Sequence, residues 1–138
     1  MTLYLDASVM VSLLVEDAHT PRADALTTGA PDCLISTWTA VEAVSAVNRL
    51  ARMGTVDPGA AADAIAAVRD RSAATAQVLA TTDADMVEAR RLLERTRTAL
   101  RAPDAVHLAI AKRAGLRLAT FDDVLTTAAR EVGVQTAA

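Results

Sequence analysis

Four acidic residues occupy places where carboxylates can meet rather than disperse over a surface: Asp6, Glu42, Asp104 and Asp122. Asp6 ends the apolar run Leu3-Tyr4-Leu5, and a small residue, Ser8 and a second apolar run, Val9–Val15, follow it. That order predicts a buried strand, a turn and a helix capped by Ser8. In open α/β sheets, ligands bind beyond the carboxyl ends of the strands. Taken alone, Asp6 reads equally as a site carboxylate and as a helix cap. Asp104 follows Pro103 at a helix start, and Asp122 follows the strand Leu116–Thr120, so both also suit a helix N-terminus. Glu42 lies past any cap position, beside the apolar stripe of its helix, and capping does not explain it.

Carboxylates sharing one crevice repel, and desolvation worsens the repulsion, so a shared site needs a cation. Ligands that are all oxygen select Mg²⁺ or Mn²⁺ rather than zinc. Such an ion keeps several waters, lowers the pKa of one and clamps phosphate oxygens, which is the equipment for phosphodiester hydrolysis. His107, three residues after Asp104, reads either as a base or as a satisfied core histidine. The lone cysteine, Cys33, sits in an apolar run with no histidine partner and reads as a small core residue.

These acids need elements to hold them. Beyond the first strand and helix, a helix is expected from Thr20 or Pro21 to Thr28, a turn at Gly29–Asp32, and a strand at Cys33–Ser36. A longer helix runs from Thr37 or Trp38 to Met53, with Ala40, Val44, Val47 and Ala51 on one face. Asp57-Pro58 restarts a helix to about Arg71, as N-cap and first-turn proline. Ala76–Ala80 reads as a strand, and Thr82 with Asp85 outlines a capping box for a helix to about Thr98. Helices at Asp104–Ala114 and Asp122–Glu131 follow, with Val132–Gln135 as a final edge strand. Strands alternating with helices over 138 residues predict one α/β domain with a parallel sheet.

Aromatic residues make up only 2% of the chain, so Ala, Val and Leu must pack its core. No apolar run approaches the ~20 residues of a membrane span. The N-terminus lacks a signal-peptide pattern, and a single cysteine suits a reducing compartment, so a cytoplasmic location is expected. The formal charge of −3 does not exclude a phosphate-bearing partner. With four of the 17 acids around a metal, the 13 left against 14 basic residues give +1.

The segments Leu3–Ser8, Glu42 in an early helix, Leu100–Ala109 and Ala119–Asp122 together resemble the PIN-domain nucleases, and in length and order most resemble the VapC toxins of bacterial toxin–antitoxin pairs. The resemblance spans essentially the whole chain and implies a three-layer α/β/α fold with a short central parallel sheet. It implies a Mg²⁺- or Mn²⁺-dependent endoribonuclease in which Asp6, Glu42, Asp104 and Asp122 form the acidic quartet. Of these, Asp6, Asp104 and Asp122 are expected to hold metal, with Ser8 and Thr120 as supporting hydroxyls. It further implies a homodimer restrained by a small antitoxin protein. Asp123 is not required by the pattern and reads as a solvated helix-start charge.

Two other α/β classes fit less well. A phosphoacceptor receiver needs an early acidic pair, and a haloacid-dehalogenase-type phosphatase needs an acid where Ser8 stands. The remaining alternative is a catalytically silent PIN-like module for dimerisation or regulation.

Overall fold

The computed structural model describes residues 2–30 and 32–137; Pro31, in the turn expected at Gly29–Asp32, lies outside them. Five strands, β1 (Thr2–Leu5), β2 (Asp32–Ser36), β3 (Val78–Leu79), β4 (Arg117–Ala119) and β5 (Thr136–Ala137), form one sheet in the order β3-β2-β1-β4-β5. Every pairing is parallel. The helices are α1 (Ala7–Leu14), α2 (Thr20–Thr28), α3 (Thr37–Arg52), α4 (Pro58–Ala73), α5 (Asp83–Arg95), α6 (Ala102–Ala114) and α7 (Asp123–Glu131).

The pleat of β1 sorts the core into two layers. Tyr4 faces a cluster that includes Leu92, Leu108, Leu118 and Leu125, from β4 and the α5, α6 and α7 side. Leu3 and Leu5 face the opposite cluster, with Val9, Met10, Ile35 and Ala43. A smaller cluster of Val15, Val47, Val56, Ala61 and Ala64 joins α3 to α4. This is the three-layer α/β/α arrangement expected from the sequence. Among the described residues, no helix is long and apolar enough to cross a membrane.

Strand order reverses at β1: the chain leaves it towards β2 and β3, then returns on its other side as β4 and β5. Such a switch point opens a crevice at the carboxyl ends of the strands. Asp6 directly follows β1, and its N–H donates to Ala119 O at 3.1 Å. The ends of β1 and β4 are thus fastened side by side.

Three local expectations are corrected. The cap of α1 is Asp6, whose extended backbone and Oδ1, accepting from Val9 N–H at 3.1 Å, do what Ser8 was expected to do. Ser8 lies inside the first turn and donates to Asp6 instead. Strand β3 is only two residues long because Thr75–Gln77 forms a 3₁₀ turn. The final strand lies at Thr136–Ala137 rather than Val132–Gln135. Gly133, at φ +77°, carries the left-handed turn that ends α7, so pairing with β4 begins only at Gln135.

Candidate active site

An open crevice of about 490 Å³ lies at the switch point, and Asp6, Glu42, Asp104 and Asp122 all line it. Each arrives by a different route. Asp6 and Asp122 are N-caps, of α1 and α7, each with Oδ1 accepting a backbone N–H of its own helix. Glu42 projects from the second turn of α3. Asp104 lies in the first turn of α6, where Ala102 and Pro103 start the helix two residues earlier than expected. The starts of α3 and α6 are tied together, because Trp38 Nε1–H donates to Pro103 O at 3.1 Å. Asp123 is exposed and does not line the crevice.

Ser8 lies beside Asp6, and Thr120 beside Asp122. Ser8 Oγ donates to Asp6 Oδ1 at 2.6 Å and accepts from Phe121 N–H at 3.1 Å, which stitches α1 to the end of β4. Thr120 is buried, and its Oγ1 accepts from Asp122 N–H at 3.0 Å, turning the chain towards α7.

Behind Glu42 runs a chain of hydrogen bonds that the sequence did not disclose. His107 is 1% exposed, with Nε2 at 2.5 Å from Glu42 Oε1 and Nδ1 at 2.7 Å from Tyr4 Oη. A carboxylate can only accept, so Nε2 carries the proton and Nδ1 accepts from the tyrosine. Tyr4 Oη in turn accepts from Ser36 Oγ at 2.8 Å, while Ser36 Oγ accepts from Thr39 N–H at 3.0 Å. Burial, helped by the charges of Asp6 and Glu42 and opposed by Ser36 and Thr39, drives the Tyr4 hydroxyl far above its ordinary pKa, so it stays a donor. His107 is therefore a satisfied core histidine that orients Glu42, and of the two readings of the sequence this is the one its contacts match.

Asp104 is electrostatically exceptional. Its carboxylate has no hydrogen-bond donor among the described residues. Burial pushes its pKa from 3.8 up to about 6; Asp122, Asp6 and Glu42 add to the rise, and His107 opposes it. By contrast, Asp6, Glu42 and Asp122 each commit one oxygen to a protein donor, and the described residues give the other oxygen none.

Sequence reasoning also missed Asp17. This residue reaches the crevice rim, where Oδ2 accepts from Ser12 Oγ at 2.8 Å and Oδ1 from His19 N–H at 2.8 Å. Its position in a polar break gave no periodic signal to find it by.

A model of the PIN domain matches residues 3–131 of the sequence. The chain belongs to the PIN-domain family. Comparison with curated protein sequences gives no match. Among solved structures, this PIN domain is similar to the VapC20 toxin of Mycobacterium tuberculosis, described as cleaving the sarcin–ricin loop. The TM-score is 0.74 at 21% identity, over 91% of this chain and 94% of that one. It is also similar to PAE2754 of Pyrobaculum aerophilum, at a TM-score of 0.69 and 26% identity, over 99% and 83%. A toxin–antitoxin complex from Klebsiella pneumoniae matches with a TM-score of 0.63 at 18% identity, over 99% and 96%.

The family implies a divalent cation, and the donor set of this PIN domain fits one. Its oxygens are hard, and burial together with the charges of Asp122, Asp6 and Glu42 pushes Asp104 towards protonation. Among the described residues no three acidic, histidine or cysteine side chains are already clustered tightly enough to bracket one ion.

Proposed function

We propose that this PIN domain is a Mg²⁺- or Mn²⁺-dependent endoribonuclease and the toxin of a toxin–antitoxin pair. The observation that carries the reading is the convergence of Asp6, Glu42, Asp104 and Asp122 on one crevice, with the Asp104 carboxyl pushed up to about 6 by burial and its acidic neighbours. Asp6, Asp104 and Asp122 would hold the metal, and Glu42, aimed by His107, would stand beside it. A bound cation would supply a water of lowered pKa and charge for the phosphate oxygens. The chain's own part is to hold Glu42 oriented through His107 and to keep the carboxyl ends of β1 and β4 side by side. Ser8 and Thr120 support this by fixing Asp6 and the turn into Asp122.

The toxin reading is supported by likeness in fold to a toxin and to a toxin–antitoxin complex. A cytoplasmic homodimer held in check by a small antitoxin follows from it. Such a partner would lie along Val9–Val15 and Val41–Leu50, where Val11, Ala46 and Leu50 give the crevice an apolar wall. It would send an Arg or Lys towards Asp6 and Asp104, because a guanidinium can bridge two carboxylates.

The test is to map RNA ends after expressing the chain with and without its neighbouring upstream gene product, alongside Asp104→Asn. New 5′ ends should arise with the chain alone and vanish with the partner or with D104N. Identical RNA ends in every arm would favour the catalytically silent module.

A further inference from the structure

At the rim of the crevice, next to Asp122, His19 lies on Phe121 with ring centroids 4.9 Å apart and planes 20° from parallel. The guanidinium carbon of Arg22 sits 4.8 Å from the centre of the Phe121 ring. Phe121 is half-buried and packs against the core, whereas His19 is exposed and lines the crevice. One face of the imidazole is therefore spent on Phe121 and the other is left to an incoming group.

The ring is held in place, not hanging loose. His19 occupies the N-cap position of α2, yet its side chain makes no capping bond there. Its backbone N–H is fixed by Asp17, whose own N–H donates to Thr20 Oγ1 at 2.9 Å. Thr20 Oγ1 donates to Ser12 O at 2.8 Å, which locks the α1–α2 turn against α1. Across the same crevice stand Arg49 and Arg101, and neither has a side-chain partner among the described residues.

We infer that the His19–Phe121 stack is the platform for an unpaired RNA base next to the bond to be cut, with Arg49 and Arg101 taking the flanking phosphates. The inference rests on the ribonuclease reading above and adds where the substrate's base goes. Aromatic faces accept any base without hydrogen-bond readout, and arginine fits phosphate through its planar fork. A stacked pair is stiffer than a single exposed ring, so the free imidazole face is held ready for the base. The platform selects single-stranded RNA, because a base inside a duplex has both faces stacked on its neighbours.

The experiment measures binding of short, uniform, end-labelled oligoribonucleotides and of an abasic counterpart of equal length, by fluorescence anisotropy in Mg²⁺. The chain carries Asp104→Asn so that the RNA stays whole. With His19 present, the base-bearing RNA should bind about tenfold more tightly than the abasic one. His19→Ala should bind both at the abasic level, and His19→Phe should restore the difference. His19 is exposed and its ring stacks on the half-buried Phe121, so an unchanged melting temperature is expected for both variants.

Equal binding before and after His19→Ala would overturn the platform while leaving the ribonuclease reading intact. Failure of His19→Phe to restore binding would overturn it too, by pointing to the imidazole nitrogens instead. Absence of binding to every base-bearing RNA would likewise overturn it. Cleavage by the D104N chain would overturn the metal-site reading, and the stack would then be judged by the binding differences alone.

Discussion

Replacing Asp104 by Asn should make the metal-free protein more stable while ending its activity. The carboxyl is half-buried with no donor among the described residues, and its pKa rises from 3.8 to about 6, chiefly through burial and then through Asp122. That rise corresponds to at most about 3 kcal/mol of penalty on the ionised form. Solvent reaches the group, so screening reduces the usable figure to about 1 kcal/mol. The sign follows from proton binding. Between pH 3.8 and about 6 the folded chain holds more protons on this group than the unfolded chain does. Its contribution is therefore fully present below pH 3.8 and is lost as pH rises through about 6. At pH 7.5 without metal, D104N should melt roughly 3–5 °C above the parent. The gap should close as the pH is lowered towards 4, in a series of thermal melts in EDTA. Adding Mg²⁺ or Mn²⁺ should raise the parent's melting temperature and move the variant's less, because only an intact site gains from the ion. A D104N protein that melts lower than the parent by the same margin at every pH would refute the argument. It would assign Asp104 to the helix N-terminus as a dipole partner.

Other outcomes follow from the same contacts. His107→Leu should leave a folded protein about 2 kcal/mol less stable by urea titration, since Tyr4 Oη loses its acceptor; initial cleavage rates should fall at least tenfold because Glu42 loses its anchor, and a rate equal to the parent's would show that Glu42 needs no orientation. Tyr4→Phe should cost about 1 kcal/mol and lower the rate less than H107L does. Arg113→Ala strips the buried Asp85 of its guanidinium, whose Nε lies 2.6 Å from Oδ1, and should cost about 2 kcal/mol in denaturant. Burial alone would raise the Asp85 pKa, but Arg113 and the Thr82 bonds outweigh it and hold it low, so the pair's contribution should disappear as pH falls below 3.8, and an unchanged acid melt in R113A would count against it. Ala in place of the basic residue of a co-purifying antitoxin should weaken its suppression of cleavage; equal suppression would mean that the partner blocks the RNA path instead.

Much of this architecture can be read from short-range chemistry. Thr82 and Asp85 form the reciprocal cap their spacing suggests, and Asp57-Pro58 opens α4 as N-cap and first-turn proline. The gathering of four acids into one crevice was legible because strand ends and helix starts of a parallel sheet share an edge, and Glu42 fell there without being a cap. The choice of Asp6 over Ser8 as cap was not legible, since both types cap well and only the backbone at Asp6 decides. The Glu42–His107–Tyr4 chain was hidden for another reason. Its members are 65 and 103 residues apart in sequence, and only the docking of α6 on β1 and α3 brings them together. The strand β5 was displaced by a few residues because a sheet edge two residues long is placed by pairing rather than by its own pattern.

The bond from Trp38 to Pro103 has a spectroscopic consequence. Trp38 is the only tryptophan in the chain, and its indole N–H points at the carbonyl one residue before Asp104. Whatever alters the charge on Asp104 or shifts the first turn of α6 changes the field along that indole. Its emission wavelength and intensity thus form a built-in optical gauge of the crevice. Metal loading, RNA entry and partner docking can each be followed in the unlabelled protein, and the three can be told apart by the order in which they are added.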